Sequence, residues 1–233
     1  MQSKVSVKIC GITNIQDMDA TIRYGTHYAG LMFFEKSPRF IDLNLARKLS
    51  LHAGNKIKKV AVTVNLNNQS LDEIVNKVPL DFIQLHGEEN PKRVREIKVR
   101  YDLPVIKAIG ISEADDLDLI SNFENAADQL LIDAKSPASS ILPGGNGLNF
   151  DWKLLKDFQF SCPWLLAGGL NSENAAEAIA ITGATQLDLS SGVEKAPGLK
   201  DEDKISLLMS SIYFLRLPTL RLFDCKLHRF EER

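Results

Sequence analysis

The chain of 233 residues has few of the features that metal centres, disulfide frameworks or polyanion-binding surfaces require. Its three cysteines, Cys10, Cys162 and Cys225, are odd in number and far apart, so the sequence predicts neither a disulfide framework nor a structural zinc site. The histidines have no metal-ligand spacing. A formal net charge of -2 gives no long-range attraction to nucleic acid or to an anionic membrane. We therefore expect no metal, no nucleic-acid partner and no membrane partner.

Long apolar runs and nucleotide-binding motifs are also missing. No run approaches the roughly 20 residues that cross a bilayer. Residues 1–4 lead straight into the alternating Val5, Val7 and Ile9, which leaves no room for the apolar region of a signal peptide. There is no P-loop motif, and the glycines of 144–147 lack the strand-turn-helix setting of a dinucleotide fingerprint. We expect a cytoplasmic protein that binds a small molecule and uses no nucleotide cofactor.

The chain does contain a regular alternation of apolar, β-branched runs with segments of helical periodicity, which is typical of repeated βαβ units. Eight strands are predicted, at 5–10, 28–34, 59–65, 82–86, 104–109, 129–134, 164–167 and 186–190. The capping pairs Thr13 with Gln16 and Ser70 with Glu73 mark the starts of the first and third helices. The other helices are predicted at 43–52, 91–101, 113–125, 151–158, 172–182 and 202–215.

This alternation fits both a closed (β/α)₈ barrel and an eight-stranded doubly wound open sheet. Polar residues at the C-terminal strand ends favour the barrel, because there they would converge over one opening. They are Cys10-Gly11, Gln84, His86, Gly87, Lys107, Asp133, Asp188, Ser190 and Ser191. We expect a single α/β domain, a TIM barrel over residues 1–217, followed by an extension over 218–233 to which we assign no role.

Two short turns rich in glycine and serine follow the seventh and eighth strands, Gly168-Gly169 and 190–192. Glycine lets backbone amides approach an anion closely, and serine adds hydroxyl donors. Either turn alone would be interpreted as an ordinary loop turn. Because the two follow consecutive strands, where barrels commonly bind phosphate, they predict a phosphate-bearing substrate.

Four other residues are candidates for chemistry. Cys10 is a candidate general base, because Lys8 on the same strand face would lower the pKa of the thiol; the alternative is a packed core cysteine. Asp133 ends a strongly apolar run, where a carboxyl can keep a proton for donation; the alternative is a structural acid. Arg39 could hold a carboxylate through two N–H groups, although a lone loop arginine is usually just solvated. His86 could polarise an oxygen; the alternative is a strand-end histidine that is hydrogen-bonded within the fold.

Taken together, the motifs resemble those of the phosphoribosylanthranilate isomerase family. They are KICGIT at 8–13, SPR at 37–39, QLHGE at 84–88, LID at 131–133, AGGL at 167–170 with Asn174, and DLSSGVE at 188–194, continued by Pro197-Gly198 and Lys200-Asp201. The resemblance covers about residues 5–215 in the expected order. The combination is far more specific than any one motif.

The resemblance implies a TIM barrel that converts N-(5-phosphoribosyl)anthranilate into 1-(2-carboxyphenylamino)-1-deoxyribulose 5-phosphate by an Amadori rearrangement, without a cofactor. It implies that Asp133 protonates the ring oxygen as general acid and that Cys10 removes the C2′ proton as general base. Arg39 would hold the anthranilate carboxylate. The phosphate site would be framed by Gly168, Gly169, Asp188, Ser190 and Ser191. The chain has Thr63 where the family often has an aromatic residue and Asn146 where threonine is common, and neither difference removes a catalytic group.

Two other functions are compatible with a phosphate-binding barrel. An enzyme like indoleglycerol-phosphate synthase would be expected to use a lysine acid and glutamates, and Lys107 keeps that alternative open. A non-catalytic barrel that only binds a phosphorylated ligand would be expected to lack the acid or the base. Both Asp133 and Cys10 are present.

Overall fold

The computed structural model describes residues 5–137, 144, 147 and 149–214. Eight parallel strands close into a barrel in sequential order. They are β1 (Ser6–Cys10), β2 (Tyr28–Met32), β3 (Lys58–Thr63), β4 (Phe82–Leu85), β5 (Val105–Ile111), β6 (Gln129–Ala134), β7 (Trp164–Leu166) and β8 (Gln186–Leu189). Pairing of β8 with β1, from Ser6 opposite Gln186 to Ile9 opposite Leu189, closes the sheet. The predicted barrel is confirmed, and the doubly wound open sheet is wrong.

Helices pack around the barrel, and the first four of them begin at side-chain caps. The helices are α1 (Ile15–Arg23), α2 (Leu43–Ala53), α3 (Asn68–Lys77), α4 (Pro91–Tyr101), α5 (Asp118–Glu124) after a 3₁₀ turn at Ala114–Leu117, α6 (Ala175–Thr182) and α7 (Glu202–Phe214). Asn14 accepts from the Asp17 N–H, and Asn67 accepts from the Ser70 N–H. The predicted caps Thr13 and Ser70 are wrong, because the cap is the residue in extended conformation directly before the first turn.

The helix predicted at 151–158, between β6 and β7, is wrong in its extent. In the described part of this connection there is a 3₁₀ turn at Trp152–Leu155. Asp157 has a positive φ of 67°, a conformation that a right-handed helix cannot continue through. Phe160 then stacks on Trp164 with ring centroids 4.2 Å apart. The segment therefore forms a short 3₁₀ turn and not the predicted helix.

Two apolar cores support the barrel. The larger lies between the strands and the surrounding helices. The smaller one lies inside the barrel and contains Val60, Val62, Ile106, Ala108, Leu131, Leu165 and Ala167 together with Cys10. Side chains two residues apart on a strand point to the same face, so Lys8 and Asp133 share the interior with Cys10 and Leu131. The polar groups of the interior therefore lie among apolar side chains that exclude water.

A short hairpin follows β8 and was not predicted, because its strands are too short to show alternation. After a 3₁₀ turn at Ser191–Val193 it consists of β9 (Glu194–Ala196) and β10 (Leu199–Lys200). The expected domain end at 217 and extension over 218–233 lie outside the described residues, as do Asn146 and Cys225. Within the described ranges, no helix has the length and apolar character needed to cross a membrane.

Candidate active site

A cavity opens at the C-terminal ends of the barrel strands, where enzymes of this architecture place their active sites. It is lined by all nine residues predicted for the site: Cys10, Arg39, His86, Asp133, Gly168, Gly169, Asp188, Ser190 and Ser191. Met32, Phe34 and Val64, from the ends of β2 and β3, also line it. Sequence reasoning missed these three, because apolar residues near strand ends carry no chemical signal of their own.

The Cys10 thiol lies at the end of β1, opposite Gly30 of β2. A Cβ at Gly30 would lie 2.9 Å from Cys10 Sγ, so glycine leaves the space that the sulfur occupies. Burial raises the pKa of the Cys10 thiol; the charges of Lys8 and Lys200 offset this in part, and Asp188 adds to it. Lys8 does lower the thiol pKa, as predicted, but the net shift is upward, because desolvation outweighs the nearby cations.

Lys8 and Asp188 form a buried ion pair beneath the cavity. Lys8 has no exposed surface, and its Nζ lies 2.9 Å from Asp188 Oδ1. The two residues are opposite each other in the ladder between β1 and β8. Burial acts against the Lys8 ammonium, but Asp188 and Cys10 outweigh it and raise the Lys8 pKa. Because the pair has no net charge, the Asp188 carboxylate can line the cavity without repelling an anionic ligand.

Asp133 and His86 lie next to each other on the opposite wall. Asp133 Oδ1 accepts the Ala134 N–H at 2.9 Å, and Asp133 Oδ2 lies 3.4 Å from His86 Nε2. On the other side of the ring, the Gln84 side-chain amide donates to His86 Nδ1 at 2.8 Å. In a neutral imidazole only one ring nitrogen carries a proton. Because Nδ1 accepts the hydrogen bond from Gln84, that proton is on Nε2, toward Asp133. A Cβ at Gly144 would come too close to both His86 Nε2 and Asp133 Oδ2, so a side chain there would push these two groups aside.

The glycine-rich turns after β7 and β8 pack directly against each other. Gly168 and Gly169 have positive φ values of 84° and 61°, a conformation that side chains other than glycine rarely adopt. A Cβ at Gly192 would collide with the carbonyl oxygen of Leu170. Both turns therefore require glycine at these positions, and they present main chain to the cavity.

The Ser190 hydroxyl has a partner in the main chain. Its Oγ donates to the Cys10 carbonyl oxygen at 3.0 Å. Its proton is therefore directed at β1, not at the cavity, in this structure. An anion at these turns would rely on backbone N–H groups first, with a hydroxyl available from Ser190 only after rotation.

Arg39, in the loop after β2, is bound along one edge by Glu194 of β9. Arg39 Nε donates to Glu194 Oε1 and Arg39 Nη2 donates to Glu194 Oε2, each at 2.8 Å. A ligand carboxylate would have to use the N–H groups that Glu194 leaves. Glu194 belongs to the motif at 188–194, but its contact with Arg39 could not be predicted, because 155 positions separate the two residues.

Lys107, which kept a second enzyme class open, lies outside the set of residues that line the cavity. Its Nζ is 3.1 Å from Glu89 Oε2, and both residues are buried. It also donates to the carbonyl oxygens of Leu85 and Gly87, on either side of His86. Lys107 therefore supports the turn that carries His86, and the indoleglycerol-phosphate synthase-like alternative is not favoured.

Fold and site together define a (β/α)₈-barrel enzyme, with a thiol from β1, a carboxyl from β6 and two glycine turns opening into one cavity. Among the described residues, no three His, Cys, Asp or Glu side chains are grouped as metal ligands would be. A family profile described as N-(5'phosphoribosyl)anthranilate (PRA) isomerase matches residues 7–211. The chain belongs to the N-(5'-phosphoribosyl)anthranilate isomerase family.

Individual relatives agree with this assignment. The N-(5'-phosphoribosyl)anthranilate isomerase of Cereibacter sphaeroides is 51% identical over 207 residues, covering 89% of this chain and 98% of that protein. That of Paracoccus denitrificans is 50% identical over 201 residues, covering 86% and 94%. The crystal structure of phosphoribosyl anthranilate isomerase from Thermotoga maritima is similar with a TM-score of 0.81 and 34% identity, covering 90% of this chain and 99% of that one.

Proposed function

We propose that Asp133 and Cys10 are the general acid and general base of the isomerisation that gives the family its name. The substrate is N-(5'-phosphoribosyl)anthranilate, and the product is 1-(2-carboxyphenylamino)-1-deoxyribulose 5-phosphate. The observation that carries the proposal is that the thiol and the carboxyl, from β1 and β6, open into one cavity. A related phosphoribosyl anthranilate isomerase, 33% identical, was crystallised with the reduced form of that product.

The substrate fits the cavity in one direction. The phosphate lies at the turns after β7 and β8, where Gly168 and Gly169 allow close approach of the main chain. The anthranilate carboxylate takes the free edge of Arg39, and the aromatic ring packs against the apolar side chains from β2 and β3. This orientation places the ribose between Cys10 and Asp133, which is where a proton must be added on one side and removed on the other.

The first step opens the ring. Asp133 gives its proton to the furanose oxygen, the bond from C1′ to that oxygen breaks, and the anilino nitrogen forms a double bond to C1′, giving a protonated Schiff base. His86 directs its Nε2 proton at Asp133 Oδ2 and so stabilises the carboxylate that remains. Gln84 holds the ring of His86 in the required tautomer.

In the second step the Cys10 thiolate removes the C2′ proton. The electron pair of that bond forms a C1′–C2′ double bond and the pair of the C–N double bond returns to nitrogen, which gives an enolamine. Tautomerisation moves a proton from the C2′ hydroxyl to C1′ and yields the ketone. Burial raises the pKa of Cys10, which makes its thiolate a stronger base for a carbon acid. The ionised fraction is correspondingly small at neutral pH.

The test is turnover of substrate generated in situ, followed as loss of its fluorescence. Cys10→Ala and Asp133→Asn should each lower kcat by at least about 10²-fold, the usual scale for losing a general acid or base. Cys162→Ala and Asp115→Asn are matched controls, because Cys162 does not line the cavity and Asp115 is exposed, and both should retain wild-type rates. Folded Cys10 and Asp133 variants with normal turnover would refute the assigned roles.

The cytoplasmic location and the lack of a nucleic-acid partner remain part of the proposal. A non-catalytic phosphate-binding barrel would bind the substrate in this same assay without consuming it. Turnover by the wild type therefore separates the two functions.

A further inference from the structure

Three charged side chains form a buried cluster behind the cavity: Arg39, Glu194 and Lys200. Their exposed fractions are 6%, 7% and 2%. Glu194 lies between the two cations, bound to Arg39 by two hydrogen bonds of 2.8 Å and to Lys200 Nζ at 2.7 Å. Arg39 lines the cavity, whereas Glu194 and Lys200 do not. The mechanism described above does not use these two residues.

Glu194 determines how Arg39 faces the cavity. A guanidinium bound at two nitrogens by one carboxylate has a fixed plane, because both hydrogen bonds must stay in that plane. The opposite face of the side chain is confined as well, since a Cβ at Gly11 would collide with Arg39 Cδ. Gly11 has a φ of 78°, so its conformation also favours glycine. Arg39 is thus confined between Gly11 and the hairpin at a position where it lines the cavity.

Lys200 connects the same carboxylate to the other end of the site. Its Nζ is 3.3 Å from the Ser190 carbonyl oxygen and 3.4 Å from Ser190 Oγ. Ser190 Oγ in turn donates to the Cys10 carbonyl oxygen. One glutamate therefore contacts the residue placed at the substrate carboxylate and, through Lys200, the turn placed at the phosphate.

The cluster groups an arginine and a lysine around one carboxylate. A second buried carboxylate lies beside it, because Asp17 Oδ2 accepts the Lys200 backbone N–H at 3.0 Å. Burial lowers the pKa of Lys200, against the effect of Glu194. Arg39 is the member of the cluster that lines the cavity, so it is the one that a ligand carboxylate can reach.

We propose that Glu194 is a positioning residue that holds Arg39 for the carboxylate of the substrate, while Lys200 joins the same glutamate to the phosphate-side turn. The inference rests on the proposed function. It concerns recognition of the carboxylate and not the proton transfers. Glu194→Gln should therefore weaken selection for a carboxylate more than it weakens catalysis, because an amide nitrogen facing Arg39 cannot accept the second hydrogen bond.

The experiment compares two substrates made from ribose 5-phosphate, the anthranilate adduct and the aniline adduct that lacks the carboxylate. The readout is the ratio of their kcat/KM values, measured by product formation. In Glu194→Gln this ratio should fall by about 10-fold to 100-fold, the scale of charge-assisted hydrogen bonds, through a raised KM for the anthranilate adduct. Turnover of the aniline adduct should change by less than about threefold, because it makes no bond to Arg39.

Lys204→Met is the matched control. Lys204 Nζ donates to the backbone oxygen of Glu194 at 2.7 Å, so the substitution disturbs the same hairpin without touching the carboxylate. In Lys204→Met the ratio of the two kcat/KM values should equal that of the wild type. An equal loss of both substrates in Glu194→Gln would show a general structural role and overturn the proposal, as would an unchanged ratio.

Three further variants extend the test. Arg39→Met alone and combined with Glu194→Gln should have the same ratio of kcat/KM values, because Glu194 acts through Arg39. Lys200→Met keeps the proposal falsifiable if Glu194→Gln does not fold. It leaves Arg39 and Glu194 paired, so it should raise KM for both substrates and keep the ratio of their kcat/KM values. If Lys200→Met lowers the ratio of kcat/KM for the anthranilate adduct to that for the aniline adduct, and KM for the aniline adduct stays normal, the role assigned to Lys200 is contradicted. A wild type that does not turn over the anthranilate adduct, or that shows no preference for it, would instead contradict the proposed function.

Discussion

Raising the pH should ionise Cys10, the proposed general base. Burial raises the pKa of this thiol above its ordinary value of 9.0, against the partial effect of Lys8 and Lys200. The thiolate fraction grows by nearly tenfold per pH unit while pH stays well below the pKa. Between pH 7 and pH 8.5 it should therefore increase about 25- to 30-fold. Because kcat/KM depends on the acid as well as on the base, the thiolate itself is the quantity to follow.

The assay is the thiolate absorbance of the wild type near 240 nm across this range, read against Cys10→Ser. Cys162 does not interfere, because burial raises its pKa to about 11. Subtraction of the Cys10→Ser signal isolates the Cys10 thiolate from any other thiol. A Cys10 thiolate signal that is complete below pH 8 would refute the argument that desolvation dominates.

Three further substitutions test the supporting structure. Gly11→Ala should lower the free energy of unfolding by about 1–2 kcal/mol, because φ is 78° at this position, and should raise KM by displacing Arg39. Urea unfolding measures the first effect and steady-state kinetics the second. A normal KM would contradict the packing described. Lys107→Met should lower the free energy of unfolding in urea by about 3–5 kcal/mol, because it leaves the Glu89 carboxylate buried without its cation. A loss below about 1 kcal/mol would count against the buried ion pair. Asp116 has its pKa lowered to about 2, because hydrogen bonds outweigh burial, so Asp116→Asn should cost about 1–2 kcal/mol at pH 7. That difference should shrink as pH falls from about 4 toward 2, and a gap that is constant with pH would contradict the shift.

The strands were largely predictable from local sequence. All eight were expected from apolar, β-branched runs, and β6 matches its predicted bounds at both ends. The helix ends were less predictable, because Thr13 and Asn14 are both good caps and the choice depends on which one is extended when the chain leaves β1. The segment after Asp151 has helical periodicity, yet it forms only a 3₁₀ turn that the positive φ of Asp157 follows.

The local motifs identify the kinds of chemical group near the strand ends: a thiol, a carboxyl, an arginine and two glycine turns, in the order typical of one family. The pairing of those groups depends on how the chain folds. Arg39 binds Glu194 and Lys8 binds Asp188 across 155 and 180 positions of sequence, and both contacts exist because the barrel closes between β8 and β1.

The sign of the Cys10 pKa shift was decided in the same way. The sequence places Lys8 two residues away and predicts a lowered pKa. The structure buries the thiol, places Asp188 beside Lys8, and so raises it. Proximity along a strand is a local property, whereas desolvation and the balance of charges depend on everything that surrounds a group in space.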